Sequence, residues 1–128
     1  MSRESARAVI AQALGQGRIN LTADEAGEIC RSYGLPLPAE RVARNAEEAA
    51  AAAGEIGYPV ALKVLSSQIT HKSDAGALAL GLTSDEGVRG AYDRIVAAAR
   101  AYDPSATIDG VLVQQMARPG REVIVGAV

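Results

Sequence analysis

Residues 58–82 read YPVALKVLSSQITHKSDAGALALGL, and the rest of the chain is arranged around them. Residues 59–65 alternate: Val60, Leu62 and Val64 fall on one face of a strand, and Ala61, Lys63 and Leu65 on the other. Lys63 is therefore a cation inside an apolar strand, beside a face that reads as open. Residues 66–75 are polar and follow neither a helical nor a strand period. They set Thr70, His71, Lys72, Ser73 and Asp74 side by side, and His71 is the only histidine. Residues 77–82 read as a second strand. Two strands joined by a polar loop, with a lysine on one strand and a His-Lys-Ser-Asp cluster in the loop, describe an anion or phosphate site. The same residues admit plainer readings. A lone strand lysine serves as an edge charge or snorkels along apolar surface, and a lone histidine is often a surface or satisfied core group.

Towards the N-terminus, residues 2–16 read as a helix with Val9, Ile10, Ala13 and Leu14 as its apolar face, ended by Gly15 and Gly17. Thr22 is a candidate N-cap and Glu25, three residues on, completes a capping box. That second helix extends to about residue 33, with Ala26, Ile29, Cys30 and Tyr33 as its buried stripe, and Gly34 stops it. The LPLP run at 35–38 is extended, because each proline restricts itself and its predecessor. Residues 40–43 are a short strand. Asn45, with Glu48 reaching back, caps an alanine-rich helix over 46–56 that closes at Gly57. Beyond residue 82, Ser84 caps a further helix with Asp85 and Glu86 near its positive end. Ala91, Ile95, Ala98 and Ala99 mark its inner face, and it stops near Tyr102. Asp109 and Gly110 turn into a strand over 111–116, Pro119 and Gly120 turn again, and residues 121–128 begin a further strand. Without the first two helices the order is strand, helix, strand, strand, helix, strand. That is the split β-α-β arrangement, an α+β fold with an antiparallel sheet and helices on one face. The chain ends inside an apolar run, which predicts a fragment or an open edge for a partner to cover.

Composition narrows the function. A length of 128 residues suits one domain with a modest core. With no Phe or Trp and abundant alanine, that core must close by packing small side chains of helices against a sheet. A net charge of −2 and a pI near 5.4 argue against nonspecific nucleic-acid binding, which needs a basic face. Cys30 is the one cysteine, so no internal disulfide forms and a buried structural thiol is expected. No apolar run approaches the roughly 20 residues that span a bilayer, and the first residues lack the apolar core of a signal peptide. A reducing, cytoplasmic setting is expected, without membrane or nucleic acid as partner.

Three motifs lie in order over residues 20–128: LTADEAGEICRSYGLPLP, GYPVALKVLSSQITHKSDAGALALGL and GVLVQQMARPGREVIVGAV. In these the sequence resembles the ATP-grasp region of the nucleoside-diphosphate-forming acyl-CoA synthetases, the family of ADP-forming acetate–CoA ligase, related to succinyl-CoA synthetase. The resemblance implies an ATP-grasp N-terminal subdomain over 20–128, truncated, preceded by a helical extension over 1–19. Lys63 matches the family's strand lysine, which contacts the nucleotide phosphates, a task suited to a flexible point charge. His71 matches a loop histidine that relays phosphate between distant sites, and neutral imidazole is a competent nucleophile toward a phosphoryl group. Gln114, Gln115 and Met116 match the segment along the adenine, where backbone groups read the base edge. Glu122 matches an acidic residue near the nucleotide. One departure stands out: Ala77 replaces one of two adjacent family glycines, which would allow a positive φ or a close backbone approach to a ligand.

The resemblance further implies ATP or ADP, and Mg²⁺ whose carboxylates lie beyond this chain. It implies CoA on a partner subunit or domain, and the apolar run at residues 123–128 leads us to expect an oligomer or a partner. The expected function is the nucleotide-binding part of an acyl-CoA synthetase that moves phosphate between ADP/ATP and acyl phosphate through phosphohistidine. Without the metal's carboxylates, the chain alone is expected to bind nucleotide weakly and not to turn over. The alternatives are an ATP-grasp-like module of a protein lysine acetyltransferase and a non-catalytic ligand or interface module, since fold does not fix function.

Overall fold

The computed structural model describes residues 2–127. In chain order its elements are α1 (Ser2–Gly15), α2 (Ala23–Ser32), β1 (Glu40–Ala43), α3 (Ala46–Ile56), β2 (Val60–Leu65), α4 (Lys72–Ala75), β3 (Leu78–Leu82), α5 (Asp85–Tyr102) and β4 (Gly110–Gln115). Side-chain caps set the helix starts. Asn45 Oδ1 accepts from the Glu48 N–H at 2.8 Å, and Glu48 Oε1 accepts from the Arg44 N–H at 3.0 Å. Ser84 Oγ accepts from the Gly87 N–H at 3.1 Å. Ahead of α2, the Thr22 N–H donates to Glu25 Oε1 at 2.8 Å. Each bond satisfies a backbone donor that a helix start would otherwise leave orphaned.

The four strands lie in the order β1-β4-β2-β3, and every neighbouring pair is antiparallel. β1 and β2 consequently run parallel, joined through α3, with β4 between them. β3 and β4 run parallel, joined through α5, with β2 between them. Two interlocked split β-α-β units result, and the class is α+β. Val60, Leu62 and Val64 of β2 and Val111 and Val113 of β4 are buried on the side covered by α3 and α5. α3 brings Ala49, Ala50, Ala52 and Ala53 to that core, and α5 brings Val88, Ala91, Ile95 and Ala99. Alanine on α3 lets the helix axis approach the sheet closely, so the core fills without Phe or Trp. Tyr58 and Tyr92 only flank it.

Several local expectations are corrected. α1 buries Ala6, Val9 and Ala13, whereas Ile10 is exposed and Leu14 is 63% exposed. This helix packs chiefly on α2, and one neighbour covers only a narrow i, i+3, i+7 stripe. α2 buries Gly27 and half-buries Ile29 and Cys30, but Ala26 and Tyr33 are exposed. Its inward side is the one that meets Glu40 and Leu37 at Gly27. Cys30 is a half-buried thiol rather than a buried one. On α5 the inner face starts at Val88, and Ala98 is only half-buried. Residues 66–75 are not devoid of period, since they contain the single turn α4. Residues 121–127 form no strand. Val123, Ile124 (100% exposed) and Val125 stand in solvent, because a strand needs a ladder partner and this segment pairs with neither sheet edge. Val128, within the expected strand, and Met1, within the expected extension, lie outside the described residues. Among the described residues no helix is long and apolar enough to cross a membrane.

Candidate functional site

β2 puts Lys63 on the sheet face away from α3 and α5. That face is not open along its length. Ala61, Leu65 (1% exposed) and Leu112 on it are buried. At the Leu65 end, Gln12 of α1 and Gln16 just past it, with Thr22, Asp24 and Glu25 about the start of α2, overhang a cleft of about 510 Å³ above Leu65 and Val42. There Arg18 already pairs with Glu25 at 2.7 Å. That pairing holds the Glu25 carboxyl down at about 2, aided by hydrogen bonds from Thr22. At the Lys63 end a second cavity, of about 470 Å³, lies between β2, the start of α2 and the polar loop. It is lined by Lys63, Leu78, Ala23 and residues 70–74.

The loop's apolar residues explain how it presents its polar ones. Ile69, Ala75 and Ala77 are buried and pin it to the core, while His71, Ser73 and Asp74 stay exposed. The Ala75 N–H donates to the His71 carbonyl at 3.2 Å, closing the turn of α4. Gly76 follows at φ 67°, a left-handed conformation that favours glycine, and a Cβ there would sit tightly against Ala98 Cβ at 3.3 Å. Ala77 needs no such freedom: among the described residues no non-glycine has a positive φ. Its N–H donates to the Lys72 carbonyl at 2.8 Å and its carbonyl accepts from the Val64 N–H at 2.9 Å. Alanine therefore fits, and its backbone N–H is already committed within the loop.

The chain has two lysines and one histidine, and all three line this one cavity. Neither lysine belongs to an ion pair; the three pairs among the described residues are Arg18–Glu25, Arg31–Glu40 and Arg89–Glu47. Burial, and then the positive charge of Lys63, hold the Lys72 ammonium below the ordinary lysine range. Two unpaired cations converging on a partly desolvated cavity favour a bound anion, which relieves both penalties. Asp74 is the one carboxylate in the lining.

The other expected residues divide. Lys63 Nζ donates to Gln114 Oε1 at 3.1 Å, so Gln114 joins the site from β4. Gln115 is exposed, and its Nε2 donates instead to the Ile56 carbonyl at 3.4 Å, by the end of α3. The Met116 N–H donates to the Pro59 carbonyl at 3.0 Å, and its Sδ accepts from the Gly81 N–H at 3.0 Å. Met116 and Glu122 line a separate cleft formed by residues 116–122. Among the described residues no group of three or more His, Cys, Asp or Glu side chains converges to hold a metal ion.

Sequence reasoning missed Glu40 and Arg31. Gln114 Nε2 donates to Glu40 Oε2 at 2.9 Å, and Glu40 Oε1 pairs with Arg31. Only the strand register reveals this, because Gln114 sits between Glu40 of β1 and Ala61 of β2. No local pattern in the sequence marks it.

Residues 12–128 match the ATP-grasp domain family, and the chain belongs to that family. It is 47% identical over 123 residues to the beta subunit of ADP-forming acetate–CoA ligase I of Pyrococcus furiosus, covering 96% of this chain and 53% of that subunit. A solved structure from Pyrococcus horikoshii superposes with a TM-score of 0.89 at 44% identity, covering 92% of this chain and 50% of that one. An acetyl-coenzyme A synthetase from Candidatus Korarchaeum cryptofilum superposes with a TM-score of 0.71 at 38% identity, over 91% of this chain and 47% of that one. That protein was solved with coenzyme A and Mg-AMPPCP, its phosphohistidine segment pointing towards the nucleotide binding site. The chain spans about half the length of the curated relatives it matches.

Proposed function

We propose that this chain is the nucleotide-binding part of an ADP-forming acyl-CoA synthetase. Residues 20–128 are the N-terminal subdomain of its ATP-grasp domain, and residues 1–19 a helical extension. The reaction is acyl-CoA + ADP + phosphate ⇌ carboxylic acid + CoA + ATP. The observation that carries the reading is the convergence of both lysines and the only histidine on one cavity.

Lys63 and Lys72 hold nucleotide phosphates as point charges. The backbone of Gln114, Gln115 and Met116 runs along the adenine, and Glu122 lies near the nucleotide. In the ATP-forming direction, phosphate carried on His71 passes to ADP: the N–P bond breaks as the new P–O bond forms. In reverse, an imidazole nitrogen attacks the terminal phosphorus and ADP leaves. Mg²⁺ would neutralise charge on the phosphates, with its carboxylates supplied beyond this chain. CoA and the acyl phosphate bind on a partner subunit or domain, in the cytoplasm. The Pyrococcus furiosus relatives are beta subunits, which supports such a partner.

Calorimetric titration with Mg-ATP tests this. Saturable binding that weakens tenfold or more in Lys63→Ala, about 1.4 kcal/mol, is the expected result. Binding indifferent to Lys63→Ala would overturn the placement of the phosphates and favour a non-catalytic module.

A further inference from the structure

The second partner of Gln114 gives Lys63 a support that lies two strands away. Lys63 Nζ donates to Gln114 Oε1 at 3.1 Å, Gln114 Nε2 donates to Glu40 Oε2 at 2.9 Å, and Glu40 Oε1 is paired with Arg31 of α2. The donor inventory fixes the direction of this chain. An ammonium only donates and a carboxylate only accepts, so one orientation of the Gln114 amide satisfies both neighbours. Flipping it would set –NH₂ against –NH₃⁺ and a carbonyl against a carboxylate.

Three observations show that the support is built rather than incidental. The Glu40 side chain is only 7% exposed, yet both its oxygens are engaged. Glu40 stands opposite Gln114 in the register of β1 and β4. On the facing side of α2, a Cβ at Gly27 would come 2.9 Å from Glu40 Oε1, so glycine leaves room for the carboxylate. Gln114 is also the right length and charge for its place. A carboxylate at 114 would pair with Lys63 and cancel the charge that the cavity presents. An amide orients the ammonium and leaves it charged.

We propose that Glu40 is a positioning residue. Acting through Gln114, and itself anchored by Arg31, it holds the Lys63 ammonium in its phosphate-binding orientation. This rests on the reading of Lys63 as a phosphate contact, and the test separates the two.

The test uses the whole chain, with Mg-ATP and inorganic tripolyphosphate as probes and two readouts. The first is the lysine ammonium NMR signals, of which this sequence supplies two. In Glu40→Ala the Lys63 ammonium signal broadens through exchange with water while the Lys72 signal keeps its intensity. Glu40→Gln, whose amide oxygen still accepts from Gln114, restores it, as no general loss of folding would. The second readout is affinity in a double-mutant cycle. Glu40→Ala weakens binding about five- to tenfold in the natural chain and leaves it unchanged in the Lys63→Ala background. Gly27→Ala, which displaces the carboxylate without removing it, weakens binding in the same direction. An unaltered Lys63 signal in Glu40→Ala, or equal losses in both backgrounds, would overturn the proposal. If Lys63→Ala binds both probes like the natural chain, the phosphate role of Lys63 fails, and the ammonium signals still decide whether Glu40 positions it.

Discussion

Burial and the charge of Lys63 both press on the Lys72 ammonium, and nothing in the described fold pairs with it. A lysine whose folded pKa lies below its unfolded one works against folding while it stays protonated. Stability then rises with pH through the alkaline window below 10.5, where the unfolded chain binds the extra proton. Lys72→Met is therefore expected to stabilise the fold slightly, by less than about 1 kcal/mol because solvent screens this half-exposed group. The same substitution should weaken Mg-ATP binding several-fold. Thermal melts and calorimetry on one pair of proteins check both signs. At this scale Lys63 and His71 were legible, since a cation breaking an apolar alternation and a lone histidine in a polar loop are local signals. Glu40 was not: its meaning comes from Gln114, 74 residues away and adjacent only through strand pairing. Ala77 shows the opposite case. Its departure from glycine looked consequential in sequence, and its negative φ shows that the backbone there needs no glycine freedom.

Among the elements, the caps and the alanine helix were read correctly because both depend on short-range chemistry. Asn45→Ala removes the bond to the Glu48 N–H and should cost about 1 kcal/mol in a denaturant melt. Ala53→Leu places a branched side chain where α3 meets the core with no exposed surface. Overpacking there should cost about 1–3 kcal/mol. The entry to α2 has its own pH signature. Arg18 holds Glu25 at about 2, against 4.5 in the unfolded chain. A depressed carboxylate stabilises the fold above the unfolded value and loses that contribution as pH falls from 4.5 towards 2. Glu25→Gln should flatten the acid limb of the stability curve in that window; an unchanged limb would show that the pair contributes nothing there. The apolar faces of α1 and α2 were misread for one reason. A helical period tells which residues share a side, but not how much of that side a neighbour covers. Residues 121–127 were misread likewise, because strand propensity does not supply a strand to pair with.

For the molecule as a whole, the lysine–histidine cavity lies on the sheet face away from α3 and α5, beside the start of α2. The chain spans about half the length of the curated beta subunits it matches, and on its own it is expected to form no acyl-CoA from acid, CoA and Mg-ATP. A coupled assay for ADP release checks this, and turnover at a full ligase rate by this chain alone would contradict it. The central claim, that Lys63, Lys72 and His71 form one phosphate site, has a direct reporter because the protein contains a single histidine. The measurement is the His71 imidazole NMR signal during titration with Mg-ATP, in the natural chain and in Lys63→Ala. The expected result is a saturable shift of that signal, following the calorimetric isotherm and weakened at least tenfold by Lys63→Ala. A His71 signal that stays fixed while calorimetry records saturable nucleotide binding would contradict it, and would put the nucleotide elsewhere on the chain.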